Sequence, residues 1–287
     1  MPRYAYVNGR YLPQADATVS IDDRGYQFAD GVYEVVPLIE GRVVDEDAHF
    51  DRLEYSLGEL GIPMPMSRAA LRAVTREMMR RNGVSTGIVY MQVTRGVALR
   101  EHRYPHRIKP VLVMTARHRP PIPEQRIAAG VAVVSVPDMR WRRCDIKATA
   151  LLANIMGKQQ AVEQGAFEAW MVDEDGAVTE GTSTNAWIVS RDNRLVTRNL
   201  STAILSGITR KRLIAVAAEH DYPVEERPFT IAEAQGAREA FITSSTSLVL
   251  PVTAVDGRKV ADGRAGPLAL ALRRAYLDFV MTEPPAL

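Results

Sequence analysis

The segment Gly31-Val-Tyr-Glu-Val-Val-Pro-Leu-Ile-Glu-Gly-Arg-Val-Val44 decides the fold class. Residues 31–39 read as a strand, and Glu40-Gly41 turns the chain back into Val43-Val44. Phe50, Leu53, Leu57 and Leu60 then recur at helical spacing, with Gly61 placed to end the helix. Hairpins standing beside separate helices recur along the chain. That pattern favours an α+β fold over a doubly wound parallel sheet.

Upstream, Tyr4 to Leu12 reads as a hairpin with Asn8-Gly9 at its turn, a pair suited to positive φ. Downstream, Ser67 is placed to cap a second helix, with Leu71, Val74 and Met78 on one face and Asn82-Gly83 as its stop. Ile88 to Thr94 and Val111 to Thr115 are β-rich runs flanking a polar loop from Arg95 to Lys109. The stretch Arg117-His-Arg-Pro-Pro-Ile-Pro-Glu-Gln125 reads as a stiff linker, because its clustered prolines fit neither a helix interior nor a central strand. The expected organisation is an N-terminal domain over 1–117, a linker over 118–125 and a C-terminal domain over 126–287.

In that second part Val131 to Val136 reads as a strand. Leu151, Leu152, Ile155, Met156 and Val162 mark a strongly amphipathic helix ended by Gly165. Phe167 to Val172, Ala177 to Thr179 and Ala186 to Val189 read as short strands, followed by a helix from Thr209 to His220. Thr230-Ile-Ala-Glu233 is a capping box, and Glu239 to Thr243 is a further strand.

Charge is nearly balanced, 36 Lys plus Arg against 34 Asp plus Glu, which gives no field for nucleic acid. No window approaches the roughly 18 uninterrupted apolar residues of a membrane span, and the N-terminus has no signal-peptide core, so a cytoplasmic location is expected. The single Cys144 excludes an internal disulfide, and the five histidines show no metal-ligand spacing, so no metal is expected.

Only five lysines occur, and Lys109, Lys158, Lys211 and Lys259 read as solvated surface charges. Lys147 differs in following Cys144-Asp-Ile at a strand-to-helix junction. A lysine so placed can point into a cleft where burial favours a reactive amine. From context alone a surface charge remains the plainer reading, as a strand-end surface carboxylate does for Glu180 and an ordinary helix cap for Gly207-Ile-Thr-Arg210.

Five segments fall in order: Asp22-Asp-Arg-Gly-Tyr-Gln-Phe-Ala-Asp-Gly-Val-Tyr-Glu34, Cys144-Asp-Ile-Lys147, Val178-Thr-Glu-Gly181 with Thr182-Ser-Thr-Asn185, Leu205-Ser-Gly-Ile-Thr-Arg210 and Ile242-Thr-Ser-Ser-Thr-Ser247. The series resembles the class IV aminotransferases, two-domain pyridoxal-phosphate enzymes of fold type IV, over essentially the whole chain. The resemblance implies that Lys147 bonds covalently to the cofactor and that Glu180 pairs with its pyridine nitrogen. It places the phosphate at the helix start, on backbone N–H groups from Ile208 and the Thr209 hydroxyl, with Ser244, Ser245 and Arg52 as further partners. Leu205 is implied to pack against the cofactor ring.

Within that family, Arg100-x-His102 together with Tyr33 resembles the carboxylate trap of the D-amino-acid transaminases. Out of context, the same pair is a solvated basic loop. Asp138-Met-Arg-Trp-Arg-Arg-Cys-Asp-Ile-Lys147 is similar to the D-alanine transaminase run. The resemblance implies a homodimer in which the Arg-x-His loop serves the partner's site, and transamination between a D-amino acid, D-alanine foremost, and a 2-oxo acid such as 2-oxoglutarate. A branched-chain L-transaminase, an (R)-amine transaminase and an aminodeoxychorismate lyase are the alternatives of the same fold. Two departures bear on side-chain preference: Glu101 puts an acid inside the proposed trap, and Thr182-Ser-Thr184 stands where the family has a run of serines.

Overall fold

A computed structural model describes residues 3–286. Its internal contacts define two units. The first comprises the chain up to Pro121, Ile146–Ala150 and the segment from Val280; the second comprises Ile122–Asp145 and Leu151–Phe279.

The first unit contains β1 (Tyr4–Val7), β2 (Arg10–Pro13), α1 (Arg24–Phe28), β3 (Gly31–Ile39), β4 (Arg42–Val43), α2 (Glu46–Glu59), α3 (Arg68–Asn82), β5 (Gly87–Thr94) and β6 (Val111–His118). Its six strands form an antiparallel sheet in the order β2-β1-β6-β5-β3-β4. Asn8 and Gly9 both adopt positive φ at the first hairpin, 44° and 89°, as that tight turn demands. Along β3 the side chains alternate. Val32, Val36 and Leu38 enter a core shared with Phe50, Leu53 and Leu57 of α2 and with Leu71 and Met78 of α3. Each such buried side chain contributes about 1.5–3 kcal/mol. Glu34 lies in the same alternating row as those apolar residues and is fully buried.

The second unit contains α4 (Glu124–Ala129), β7 (Val131–Pro137), α5 (Leu152–Glu163), β8 (Glu168–Val172), β9 (Val178–Gly181), β10 (Asn185–Val189), β11 (Leu195–Thr197), α6 (Ile208–Glu219), β12 (Val224–Glu226), α7 (Ile231–Gln235), β13 (Glu239–Ser244), β14 (Leu248–Val255) and β15 (Arg258–Lys259). Helix α8 (Pro267–Thr282) follows and runs into the segment grouped with the first unit. A nine-stranded sheet runs β12-β11-β10-β13-β14-β7-β8-β9, with β15 paired to β14. The β11–β12, β14–β7 and β7–β8 pairs are parallel and the rest antiparallel. Trp170, Trp187, Phe229 and Phe241 are fully buried around it.

Three features depart from the sequence reading. Within the expected linker over 118–125, β6 continues to His118, the contacts divide between Pro121 and Ile122, and α4 begins at Glu124. The sequence reading put Lys147 inside a domain of residues 126–287, whereas segment 146–150 belongs by contacts with the first unit. The cause is backbone pairing: Ala148 bridges Val32, the Tyr33 N–H donates to the Lys147 carbonyl at 3.0 Å, and the Thr149 N–H donates to the Gly31 carbonyl at 3.0 Å. Finally, α5 forms where its periodicity predicts, but its large apolar side chains, Leu152, Ile155, Met156 and Val162, are exposed, and the helix packs through Gly157 and Ala161. Among the described residues no helix is long and apolar enough to cross a membrane.

Candidate functional site

In the first unit the chemistry gathers on β3, α2 and the Lys147 segment. Tyr33 and Glu34 are neighbours on β3, so the strand's period of two sends them to opposite faces. Glu34 meets α2, where His49, Arg52 and Ser56 recur at helical spacing. The Arg52 fork donates to both carboxylate oxygens, Nε to Oε1 at 2.7 Å and Nη2 to Oε2 at 2.8 Å, and the His49 ring nitrogen Nδ1 lies 2.7 Å from Oε2. Burial alone would raise the Glu34 pKa; the Arg52 charge and hydrogen bonds, helped by His49, outweigh it and hold the carboxyl far below the usual range. Burial holds the His49 imidazole below its ordinary value, against the pull of Glu34.

One turn beyond Arg52, the Ser56 hydroxyl accepts the Lys147 N–H at 3.2 Å. Lys147 Nζ lies 4.2 Å from the centre of the Tyr33 ring, within cation–π range. Tyr33 in turn lies 5.8 Å from Tyr90, whose phenol is pushed up to about 12, first by burial and then by Tyr33. Tyr33 and Lys147 are therefore in contact, with the Lys147 backbone pinned from both α2 and β3.

Arg100 and His102 lie on the exposed loop between β5 and β6. Both flank the Phe28 ring of α1: the Arg100 guanidinium carbon is 5.0 Å from its centre and the His102 ring 5.6 Å. Glu101, the unexpected acid, turns its carboxylate to Arg103 at 2.8 Å. The loop thus sets a cation and an imidazole against the same aromatic ring.

In the second unit Glu180 is buried at the end of β9. Asn185 Nδ2 donates to its Oε2 at 3.0 Å, and the Leu205 N–H donates to both oxygens at 3.1 and 3.2 Å. Arg140 also donates to Glu180, while its remaining N–H groups go to Asp138, Thr179 and the Ala203 carbonyl. Glu180 is an acceptor whose direction is set by its surroundings. The Thr182, Ser183 and Thr184 hydroxyls all turn onto the buried Glu168 carboxylate. The two threonines that stand for serines, Thr182 and Thr184, are therefore buried against Glu168, with Ser183 exposed between them. Lys158, read as a surface charge, lies 3.8 Å from the same Glu168.

Helix α6 starts at Gly207 with no side-chain cap, and Ile208 and the Thr209 side chain are buried in its first turn. A Cβ on Gly207 would overlap Asn185 Oδ1, so only glycine lets the helix start close on β10. Asn185 bridges this loop to Glu180 by donating also to the Leu205 carbonyl at 3.1 Å. Helix α6 packs on β13, whose last residue Ser244 accepts the Thr246 and Ser247 N–H groups at 3.3 and 3.1 Å. The Ser244 hydroxyl is thus drawn into its own turn, and Ser245 is half-buried beside it. Uncapped N–H groups, a glycine cradle and clustered hydroxyls suit a phosphate, and an oriented carboxylate suits a protonated ring nitrogen.

Sequence reasoning missed Glu34, His49, Arg140 and Asn185. Glu34 carried a readable signal, a carboxylate in the apolar row of a strand; Arg140 carried none, because it is one of three arginines within four residues.

The sequence model for amino-transferase class IV matches residues 31–255. The chain belongs to the class IV aminotransferases. The D-alanine aminotransferase of Bacillus licheniformis is 41% identical over 277 residues, 96% of each chain. That of Staphylococcus haemolyticus is 34% identical over 276 residues, 96% of this chain and 97% of its own. Among solved structures, the branched-chain amino acid aminotransferase of Thermoproteus uzoniensis with norvaline has a TM-score of 0.84 at 25% identity, covering 98% of this class IV chain and 95% of its own. The branched-chain enzyme of Escherichia coli, with a TM-score of 0.91 at 22% identity over 98% and 95%, shares the fold.

Proposed function

We propose that this class IV aminotransferase is a pyridoxal-phosphate-dependent D-amino-acid transaminase, moving the amino group of D-alanine to a 2-oxo acid such as 2-oxoglutarate. The observation that carries the reading is that Arg100 and His102 both lie against the Phe28 ring, donors of a kind suited to an α-carboxylate. The D-alanine aminotransferases named above, at 34–41% identity over nearly their whole length, support it.

Lys147 is the residue to bond the cofactor. Glu180 pairs with the ring nitrogen, Leu205 packs on the ring, and Arg52, Ile208, Thr209, Ser244 and Ser245 hold the phosphate. Bound there, the cofactor supplies an electron sink for the substrate's Cα. Lys147 Nζ takes the Cα proton from the amino acid and returns a proton to the same carbon when the oxo acid is converted. Tyr33, against which Lys147 lies, joins Arg100 and His102 in holding the carboxylate. Donor and acceptor enter the same residues in turn, so the carboxylate donors serve both half-reactions.

The chain works as a homodimer in which the loop carrying Arg100 and His102 serves the partner's Lys147. Exposed apolar side chains support this: Leu99 is 88% exposed, with Ile21 and Tyr26 also exposed in the first unit, and Leu152 is 72% exposed along with Ile155 and Met156 on α5. Steady-state rates with 2-oxoglutarate and a panel of D- and L-amino acids test the reading. D-alanine should be turned over and L-leucine should not. Preference for L-leucine would move the chain to the branched-chain enzymes.

A further inference from the structure

The first unit buries an ionic cluster that the roles above leave unused. Arg24 and Arg95, with side chains 4% and 3% exposed, each place Nε 2.7 Å from the same oxygen, Oδ2 of Asp30. Two guanidiniums on one carboxylate are an expensive way to fill a core, because burying charge costs hydration. Their other N–H groups show where they act. Arg24 Nη1 donates at 2.5 Å to the carbonyl of Glu101, the residue between Arg100 and His102, and the Arg24 backbone N–H donates to the Gly96 carbonyl at 2.9 Å. Arg95 Nη2 donates to the Leu60 carbonyl at 2.8 Å, and its guanidinium carbon lies 3.6 Å from the centre of the Tyr104 ring.

Helix α1 itself is held firmly. Asp23 accepts the Gly25 N–H at 2.8 Å and the Thr94 hydroxyl at 2.9 Å, and a Cβ on Gly25 would overlap Thr94 Cγ2. Phe28, the platform for Arg100 and His102, is the last residue of the same short helix. The loop from Val97 to Tyr104 buries almost no side chains of its own. Its shape therefore comes from these attachments.

We propose that Arg24 is a positioning residue for carboxylate recognition. Gripping the Glu101 carbonyl, it fixes Arg100 and His102 against Phe28, while Asp30 orients its fork and Arg95 secures the loop at Tyr104. A donor pair ordered before substrate arrives does not lose that freedom on binding. The inference rests on the reading of Arg100 and His102 as the carboxylate donors.

The test uses the cofactor-loaded enzyme. Arg24→Met leaves Arg95 and Asp30 as a one-to-one pair. KM for D-alanine and for 2-oxoglutarate should rise together by about tenfold, the effect of one lost charge-assisted hydrogen bond. Saturated turnover and cofactor content should stay close to wild type. Arg24→Lys, which keeps the charge without the fork, should show the same rise; wild-type KM there would overturn the positioning role. Should Arg24→Met fail to fold, Phe28→Leu, which removes the platform, is expected to raise both KM values in the same way. Arg100→Ala, measured alongside, separates the two ideas. If it leaves both KM values unchanged, the carboxylate reading falls and this inference with it. If it raises them and the Arg24 and Phe28 variants do not, the positioning role alone is overturned.

Discussion

Arg52 holds both oxygens of Glu34, at 2.7 and 2.8 Å, across the contact of α2 with β3. A carboxylate in an apolar row must be paired, and the fork pairing also fixes the direction of a guanidinium proposed to bind phosphate. Glu34→Ala leaves Arg52 buried without that partner and should cost about 3–5 kcal/mol of stability. Urea unfolding and a pyridoxal-phosphate titration on the same protein measure the two consequences, and both stability and cofactor affinity should fall. Unchanged cofactor affinity would separate Arg52 from the phosphate.

The same cluster makes stability depend on pH. Burial holds His49 below its ordinary value of 6.5. An unfolded chain takes up a proton there that the folded chain refuses, so stability should decline as pH falls below about 6.5, by up to about 1.4 kcal/mol per unit. The depressed Glu34 works in the same direction, its contribution present above its ordinary 4.5 and lost in stronger acid. His49→Gln should flatten the melting-temperature profile between about pH 6.5 and 5. An unaltered slope would assign the acid sensitivity elsewhere.

Gly207→Ala places a methyl in overlap with Asn185 Oδ1, so either the helix start or Asn185 must move. Overpacking of this kind costs about 1–3 kcal/mol. Because Asn185 also touches Glu180, the variant should lose cofactor on dialysis faster than wild type. Equal retention would argue that the α6 start does not hold the phosphate.

Glu180→Gln keeps the shape of the side chain and removes its charge. Cofactor should still bind, while turnover should fall about 100-fold, the scale of removing one electrostatic contact to a developing charge. Wild-type turnover would remove Glu180 from the ring nitrogen.

Much of this was legible in the sequence because it is local. The Asn8-Gly9 turn, the strand at Gly31–Ile39, the Ser67 cap and the Thr230 cap depend on neighbours within a few residues, and all form. Two kinds of feature were not legible. Exposure of the apolar face of α5 reverses the usual meaning of an amphipathic pattern, since periodicity reports a face without saying what covers it. Glu34 with Arg52, Glu180 with Arg140 and Arg24 with Glu101 pair across long separations, and spacing carries no record of them. The Lys147 segment was recognisable by motif, but its pairing with β3 depends on backbone hydrogen bonds that no side-chain pattern announces.

The most direct measurement omits the acceptor. Cofactor-loaded protein mixed with D-alanine alone should release one pyruvate per chain and then stop. L-alanine and L-leucine should each yield no oxo acid, and Lys147→Ala should yield none from any donor. Stoichiometric oxo acid from an L-donor, with none from D-alanine, would contradict the account.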